Sequence, residues 1–401
     1  MGIIKLHYSM STDIVFSIFL IFTGAAIVAT LVLFTRQSLL VAYILLGVVL
    51  GPWGLKLVGN SAIVRQIGDV GIIFLLFLLG LHLPPQKLIQ MFRKTTIVAV
   101  ISSLVFIALG FIIGKAFGFS KQESLIIGVA MMFSSTIIGL KLLPTSVLHH
   151  RHTGEVMISV LLLQDLLAII VLIFLHGASY GGLSWLKIGF IVISLPLLIL
   201  IATLFERFVL VKLFTRFDRI QEYIFLLSVG WCLGLAELAA EFGLSHEIGA
   251  FIGGVSIAAS PIALYIAESL KPLRDFFLVM FFFSIGANFN LHYLPSIILP
   301  AVLLAGLMLV FKPLVFKYLL LWVQETKQVA TEVGVRLGQA SEFSLLLVYL
   351  AGGASAGKTL MSDNASYLIQ AATILSFMVS SYWVVAKYPT PVAMSDKLRR
   401  D

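Results

Sequence analysis

The chain of 401 residues is 60% hydrophobic and only 11% charged, against about 25% charged for an ordinary soluble domain. This composition excludes a water-soluble enzyme or nucleic-acid-binding domain and predicts an all-α polytopic membrane protein, so the net charge of +8 must first be sorted by side of the membrane. The single cysteine, Cys232, lies in an apolar run and permits no disulfide within the chain.

Apolar runs separated by charged or Pro/Gly-containing breaks predict thirteen spans. The first six are residues 13–34, 38–50, 67–83, 95–117, 124–143 and 154–176. The first run continues past the small-residue step Gly24-Ala25-Ala26, so it reads as a span and not as a cleaved signal peptide. The seventh is 185–205, and the rest are 221–240, 246–260, 273–287, 295–317, 329–351 and 365–387. Residues 261–274 read as an amphipathic connector at the interface, with Glu268, Lys271 and Arg274 as its polar members. With the C-terminus inside, 18 Lys and Arg residues fall on the inner side and seven on the outer, which puts the N-terminus outside. Lys312 and Arg336 fall within spans.

The two halves of the sequence repeat. Gly47 and Gly253, Gly80 and Gly286, and Ser135 and Ser341 are each 206 positions apart. Matched spans are seven apart, an odd number, so the second copy runs upside down relative to the first. Inverted repeats with a midplane site at discontinuous helices are a secondary-transporter pattern. Chance alignment of small residues at helix contacts is the plainer alternative.

Asp165 is the tenth of the twenty positions from Val156 to Leu175. An ionised aspartate at the bilayer centre costs at least roughly 2.5 kcal/mol on insertion scales, so it marks a functional site unless it only holds helices together. Beside it stands Gln164, an oxygen ligand suited to an alkali ion. Spans five and twelve carry polar interruptions, Ser134-Ser135-Thr136 and Arg336-Leu337-Gly338-Gln339-Ala340-Ser341-Glu342-Phe343-Ser344. If each helix unwinds there, free carbonyls can coordinate a cation and opposing dipoles face the centre; hydroxyls that bond back to the helix would leave it continuous. Lys312, with Pro313 beside it, is the natural partner for Asp165, with snorkelling as the alternative. Arg336 and Glu342, six apart, need not face each other, so Arg336 is expected to pair with another helix or to cap the inner cavity. A proton and a metal ion exclude one another at Asp165, which is the chemistry of antiport, one proton per monovalent cation being the simplest stoichiometry.

Leu50-Gly51-Pro52-Trp53-Gly54-Leu55, Gly80-Leu81, Ser134-Ser135-Thr136, Gln164-Asp165, Gly243-Leu244-Ser245, Gly249-Ala250-Phe251, Lys312 and Gly338-Gln339-Ala340-Ser341-Glu342-Phe343 together resemble the monovalent cation:proton antiporter-2 family. The resemblance is strongest to the membrane domain of Kef-type potassium efflux systems and covers essentially the whole chain. It implies a sodium/proton-antiporter-like fold with two broken, crossing helices and Asp165 as ion and proton carrier. It also implies a homodimer in the lipid bilayer, the inner membrane of a bacterium. Residues 13–94 and 219–292 would form the dimerisation panel, 95–176 and 293–387 the core, and 177–218 the connecting span. Gln164-Asp165, where sodium-exchanging relatives have paired acids or Asn-Asp, leans toward K+ and away from Na+. Kef-type systems usually continue into a cytoplasmic nucleotide-binding domain, which this sequence does not contain, so a regulatory domain or subunit would be a partner. The connector 261–274 also lacks their His and acidic cluster. Competing readings are a sodium/proton exchanger, a passive potassium channel, for which no Thr-Val-Gly-Tyr-Gly filter is present, and an intramembrane hydrolase using Asp165 with Glu342.

Overall fold

The computed structural model describes residues 14–35, 39–58, 61–81, 85–141, 152–179, 185–352 and 359–388, and the regular structure in them is helical. In the first half α1 is Ile14–Phe34, α2 Leu39–Leu50, α3 Ser61–Leu81, α4 Pro85–Ala116, α5 Lys121–Met132, α6 Thr136–Lys141 and α7 His152–Ser179. Then come α8 (Trp185–Phe205), a π-helical turn (Glu206–Leu210) and α9 (Val211–Arg216). The second half has α10 (Gln221–Glu241), α11 (His246–Ile257), α12 (Ala263–Ala287), α13 (Leu294–Trp322), α14 (Lys327–Arg336), α15 (Glu342–Ala351) and α16 (Asp363–Lys387).

Helices α1, α2, α8 and α13 are apolar on every face, which in a helix means a buried or lipid-facing environment. Six of the described helical stretches are long and apolar enough to cross a membrane, among them Ile14–Phe34, His152–Leu172 and Asp363–Lys387. A stretch of 21 residues reaches roughly 31 Å at 1.5 Å per residue. Large side chains such as Phe19, Leu31, Phe174, Ile193, Leu226 and Trp322 are exposed, and apolar surface on that scale suits hydrocarbon, not water. The helix ends are polar. Ser120 and Glu123 form a capping box at the start of α5, and Ser245, Thr326 and Ser362 cap α11, α14 and α16. Gly118 (φ +83°) and Gly243 (φ +70°) turn the chain out of α4 and α10 in the left-handed conformation that a side chain disfavours.

Two expectations are corrected. The expected connector 261–274 is not a separate surface segment, because α12 runs unbroken from Ala263 through Pro272 to Ala287. Its residues Ala263, Ile266, Ala267 and Leu270 are buried at helical spacing in an apolar core, which pulls the segment inward. The seventh span likewise does not end at Phe205. It continues through the π turn into α9, because Leu210 and Phe214 enter the same core while Arg207 and Lys212 stay exposed.

By internal packing the chain forms two compact units, residues 1–24, 46–90 and 176–288, and residues 25–45, 91–175 and 289–401. The stretch 25–45, expected with the panel, groups with the second unit.

Within each unit the repeat is visible as swapped contacts. In the first, a Cβ on Gly47 would meet Phe283 O, Ala287 N and Gly286 Cα, and a Cβ on Gly254 would meet Phe77 O, Leu81 N and Gly80 Cα. The partners 77 and 283, 80 and 286, and 81 and 287 are all 206 apart, whereas Gly47 and Gly254 are 207 apart. The structural mate of Gly47 is therefore Gly254. Gly253, the expected mate, faces Leu235 and Trp231 instead. In the second unit Gly128 lies against the Ile107 carbonyl and Gly334 against that of Pro313, again 206 apart on both sides. Small residues at these points let backbones touch, the device of membrane helix packing.

Candidate functional site

The Asp165 region lies within the second unit and is built on two interruptions. Helix α5 stops at Met132, Phe133 turns extended (ψ 149°), and α6 starts at Thr136. Helix α14 stops at Arg336, and α15 starts at Glu342 after Ser341 in extended conformation. Hydroxyls restart each helix. Ser135 Oγ accepts the Ile138 N–H at 3.0 Å, and its repeat mate Ser341 accepts the Phe343 N–H at 3.2 Å. Both predicted breaks are thus present, and hydroxyl capping at the break replaces back-bonding within a continuous helix.

The interrupted segments are tied to each other. Ser134 Oγ donates to Leu337 O at 2.8 Å, Ser344 Oγ donates to Ala130 O at 2.5 Å, and Gln339 Nε2 donates to Ser135 O at 3.4 Å. Lys312, fully buried, donates to Phe133 O at 2.5 Å, to Gln339 O at 2.9 Å and to Ser134 Oγ at 3.3 Å, with its ammonium 5.2 Å from the centre of the Phe106 ring. Phe133 and Gln339 are 206 apart, so one ammonium bridges two repeat-related carbonyls.

Three expectations change here. Lys312 does not pair with Asp165; among the described residues its partners are the break carbonyls and a hydroxyl. Five break carbonyls, those of residues 133, 339, 135, 337 and 132, each already accept a hydrogen bond from Lys312, Gln339, Ser134 or Gln164, which leaves an ion the second lone pair of each. Lys312 is in effect the resident cation of the crossing. Gln164 is turned to the same task, accepting the Ser134 N–H at 3.1 Å and donating to Met132 O at 3.1 Å. It braces the break, and its oxygen reaches an ion only through its second lone pair.

Asp165 is 1% exposed. Among the described residues its hydrogen bonding is a shared contact from the Thr136 hydroxyl, 3.3 Å to each carboxylate oxygen. These contacts are longer than a typical O–H···O bond. Thr136 is the first residue of α6 and only half-buried, so among the described residues its hydroxyl and the Asp165 carboxylate are candidate oxygens for an ion, beside the second lone pair of Gln164. Glu342, 4% exposed, is the first residue of α15. Arg336 was expected to pair with another helix or to cap the inner cavity. Its described ion pair is with Glu332 one turn back, at 2.9 Å, and its guanidinium lies 5.5 Å from the Tyr388 ring centre, at the C-terminal end of α14 where a cation suits the helix dipole.

Three residues of the network were not anticipated. Phe106 could have been found by subtracting 206 from Lys312. Ser376 accepts the N–H of Ala340 and Ser380 donates to Gln339 Oε1 at 2.9 Å, while Ser344, part of the polar stretch of span twelve, ties α15 to α5. The spacing of 376 and 380, one turn apart on one face of α16, was their signal.

The site helices are anchored at their ends. His152, at the start of α7, meets Glu325 at 2.7 Å, and that carboxylate holds its imidazole above the usual range. Glu123 accepts the Ser362 N–H at 3.0 Å, tying α5 to α16. Hydrogen bonding from Ser362, opposed by partial burial, brings the Glu123 carboxyl down to about 2.

The family model for the transmembrane sodium/hydrogen exchanger matches residues 18–386. The chain is 26% identical over 352 residues to "Iron transporter MagA" of Paramagnetospirillum magneticum, covering 87% of this chain and 80% of that protein. It is 29% identical over 380 residues to "K(+) efflux antiporter 4" and 28% identical over 380 residues to "K(+) efflux antiporter 5", both of Arabidopsis thaliana. These matches cover 90% of this chain but 62% and 64% of those proteins, so the chain spans less than two thirds of the plant relatives. Among solved structures, the sodium proton antiporter MjNhaP1 of Methanocaldococcus jannaschii matches with TM-score 0.71 at 16% identity, over 94% of this chain and 97% of that one, a likeness of fold. With the family match extending from the first span to the last, this multi-pass membrane chain belongs to the transmembrane sodium/hydrogen exchanger family.

Proposed function

We propose that the chain exchanges potassium for protons by alternating access at Asp165. The observation that supports this most is that Asp165 is buried without a cationic partner among the described residues, while the one nearby ammonium is committed to backbone carbonyls. A buried carboxylate must be neutralised. A proton or a monovalent cation can do so, but not both together, and the long contacts from Thr136 yield to either. Hard oxygen donors suit an alkali ion. Potassium over sodium rests on Gln164-Asp165 and on the potassium named in the plant relatives.

We read the protein as a transporter and not an enzyme, working as a homodimer in the inner membrane of a bacterium, with the C-terminus on the cytoplasmic side, where Lys and Arg are in excess. The final residues that carry part of that excess lie outside the described residues.

Proteoliposomes loaded with a pH dye test the reading. An external potassium pulse should make the lumen alkaline and an equal sodium pulse should do so far less. Equal responses would remove the potassium assignment, a response to ferrous iron alone would favour the substrate named in the bacterial relative, and potassium flux without a pH change would favour a channel.

A further inference from the structure

Helix α8, the π turn and α9 carry two rows of side chains at intervals of one turn. Ser194, Leu198, Ala202, Leu210 and Phe214 are buried. The row two positions on, Leu200, Leu204, Phe208, Lys212 and Arg216, is exposed. That exposed row is apolar as far as Phe208 and basic after it. In a membrane chain an exposed apolar row lies in hydrocarbon, so the hydrocarbon ends between Phe208 and Lys212. Lys212 and Arg216 stand about 6 Å apart along the helix axis, the depth of one headgroup layer, about 5–7 Å.

Arg207 in the π turn and Arg219 just past α9 are exposed as well. Among the described residues none of these four basic groups makes an ion pair or a side-chain hydrogen bond, and the Arg216 guanidinium stands 5.9 Å from the Phe217 ring centre. Acids are not lacking. Glu206 falls on the inward row between Ala202 and Leu210, and Asp218 and Glu222 are exposed beyond α9, yet no ion pair joins them to these cations. On α12, by contrast, Lys271 and Arg274 meet Glu268 and Asp275 at 3.2 and 2.8 Å. The dipole at the C-terminal end of α9 accounts for Lys212 and Arg216, but not for Arg207 before its start or Arg219 past its last turn. Sidedness asks only for basic residues at this end, not for their alignment with a lipid-facing row.

We infer that this end of the seventh span binds an anionic phospholipid. Lys212 and Arg216, with Arg207 and Arg219 on either side in the chain, take the phosphate headgroup, and an acyl chain lies along Leu200, Leu204 and Phe208. Each part of the row selects the occupant. Guanidinium and ammonium groups donate charge-assisted hydrogen bonds to phosphate oxygens, and basic residues at a bilayer surface attract anionic lipid. A soluble phosphate would leave the apolar part of the row uncovered. A zwitterionic lipid would bring a cation of its own to a face already rich in them. Glu206 cannot supply the missing negative charge, because it lies on the opposite row. The bound lipid holds Phe208 at the hydrocarbon boundary and so fixes the depth of the seventh span, in the inner leaflet for the orientation proposed above.

Native mass spectrometry of the purified protein, released from micelles holding equal amounts of phosphatidylglycerol and phosphatidylcholine, tests this. The wild type should retain phosphatidylglycerol in preference. Lys212→Gln and Arg216→Gln, at exposed positions where the fold is not at stake, should each weaken that preference about fivefold. Lys271→Gln removes the same charge from a group already paired and should leave the preference unchanged. Glycerol phosphate in large excess should not displace the lipid. Equal retention of the two lipids by the wild type overturns the inference, and so does an undiminished preference in both Lys212→Gln and Arg216→Gln. An equal loss in Lys271→Gln overturns it too, by making net charge the cause. Displacement by glycerol phosphate would assign the cations to a soluble anion, and a dimer that retains no lipid would assign the face to a second copy of the chain; either result removes the lipid as occupant.

Discussion

Lys312 and Phe106 are 206 positions apart, and the ammonium of one stands 5.2 Å from the ring centre of the other. Residues that touch their own repeat mates lie on the pseudo-two-fold axis of the repeat, and Gly71 against Phe277 does the same in the other unit. The two halves of the chain have diverged at this point into a cation and the aromatic face that receives it. The asymmetry gives a structure assembled from two similar halves one fixed positive charge, placed where both broken helices present carbonyls.

Removing that charge should damage the fold before it damages selectivity. Lys312→Met leaves the acceptors at Phe133 and Gln339 buried and unpaired, at a cost of on the order of 3 kcal/mol or more. Thermal unfolding in detergent should show a clearly lowered midpoint, with the potassium-to-sodium preference of any residual transport unchanged. An unaltered midpoint would contradict the bridging role.

The glycine contacts carry a graded expectation. Gly254→Ala pushes a methyl group into the Phe77 carbonyl and the Gly80 backbone, and overpacking of that kind costs about 1–3 kcal/mol. Gly306→Ala, in α13 with nothing within 4 Å, should be neutral or stabilising by up to about 1 kcal/mol through helix propensity. Melting the two variants side by side checks the contact. Equal effects would count against it.

Acid should loosen the tie between α5 and α16. The Glu123 carboxyl is depressed from 4.5 to about 2, chiefly by hydrogen bonding from Ser362. A depressed folded-state value contributes stability that is fully present above the unfolded value and is lost as pH falls from 4.5 toward about 2. The melting midpoint of the wild type should therefore fall through that window more steeply than that of Glu123→Gln. The His152 imidazole is raised by Glu325, so the sign reverses: its contribution is complete below 6.5 and fades as pH rises through the raised value. His152→Gln should flatten the alkaline side of the profile and leave the acid side as it was.

Much of this was legible in the sequence because it depends on local chemistry. Apolar length gave the spans, Ser134-Ser135-Thr136 and the stretch from Gly338 to Glu342 marked the breaks, and a mid-span carboxylate marked Asp165. What was not legible depends on geometry between elements. Opposite charge suggested Lys312 for Asp165, but two kinked backbones offered the ammonium better acceptors, and backbone carbonyls carry no sequence signature. The one-residue slip from Gly253 to Gly254 is likewise invisible until the Phe77 carbonyl shows which glycine it needs. The polar residues Glu268, Lys271 and Arg274 made 261–274 read as an interfacial connector, and burial of Ile266 and Leu270 overrode that reading.

The claim beneath all of this is that a proton and a cation compete for Asp165. Purified protein in weak buffer, titrated with potassium while released protons are counted, tests it most directly. We expect saturable release of about one proton per chain, by the mutual exclusion of the two at one carboxylate, and none from Asp165→Asn with its melting midpoint preserved. Potassium binding without proton release, or undiminished release from Asp165→Asn, would contradict it.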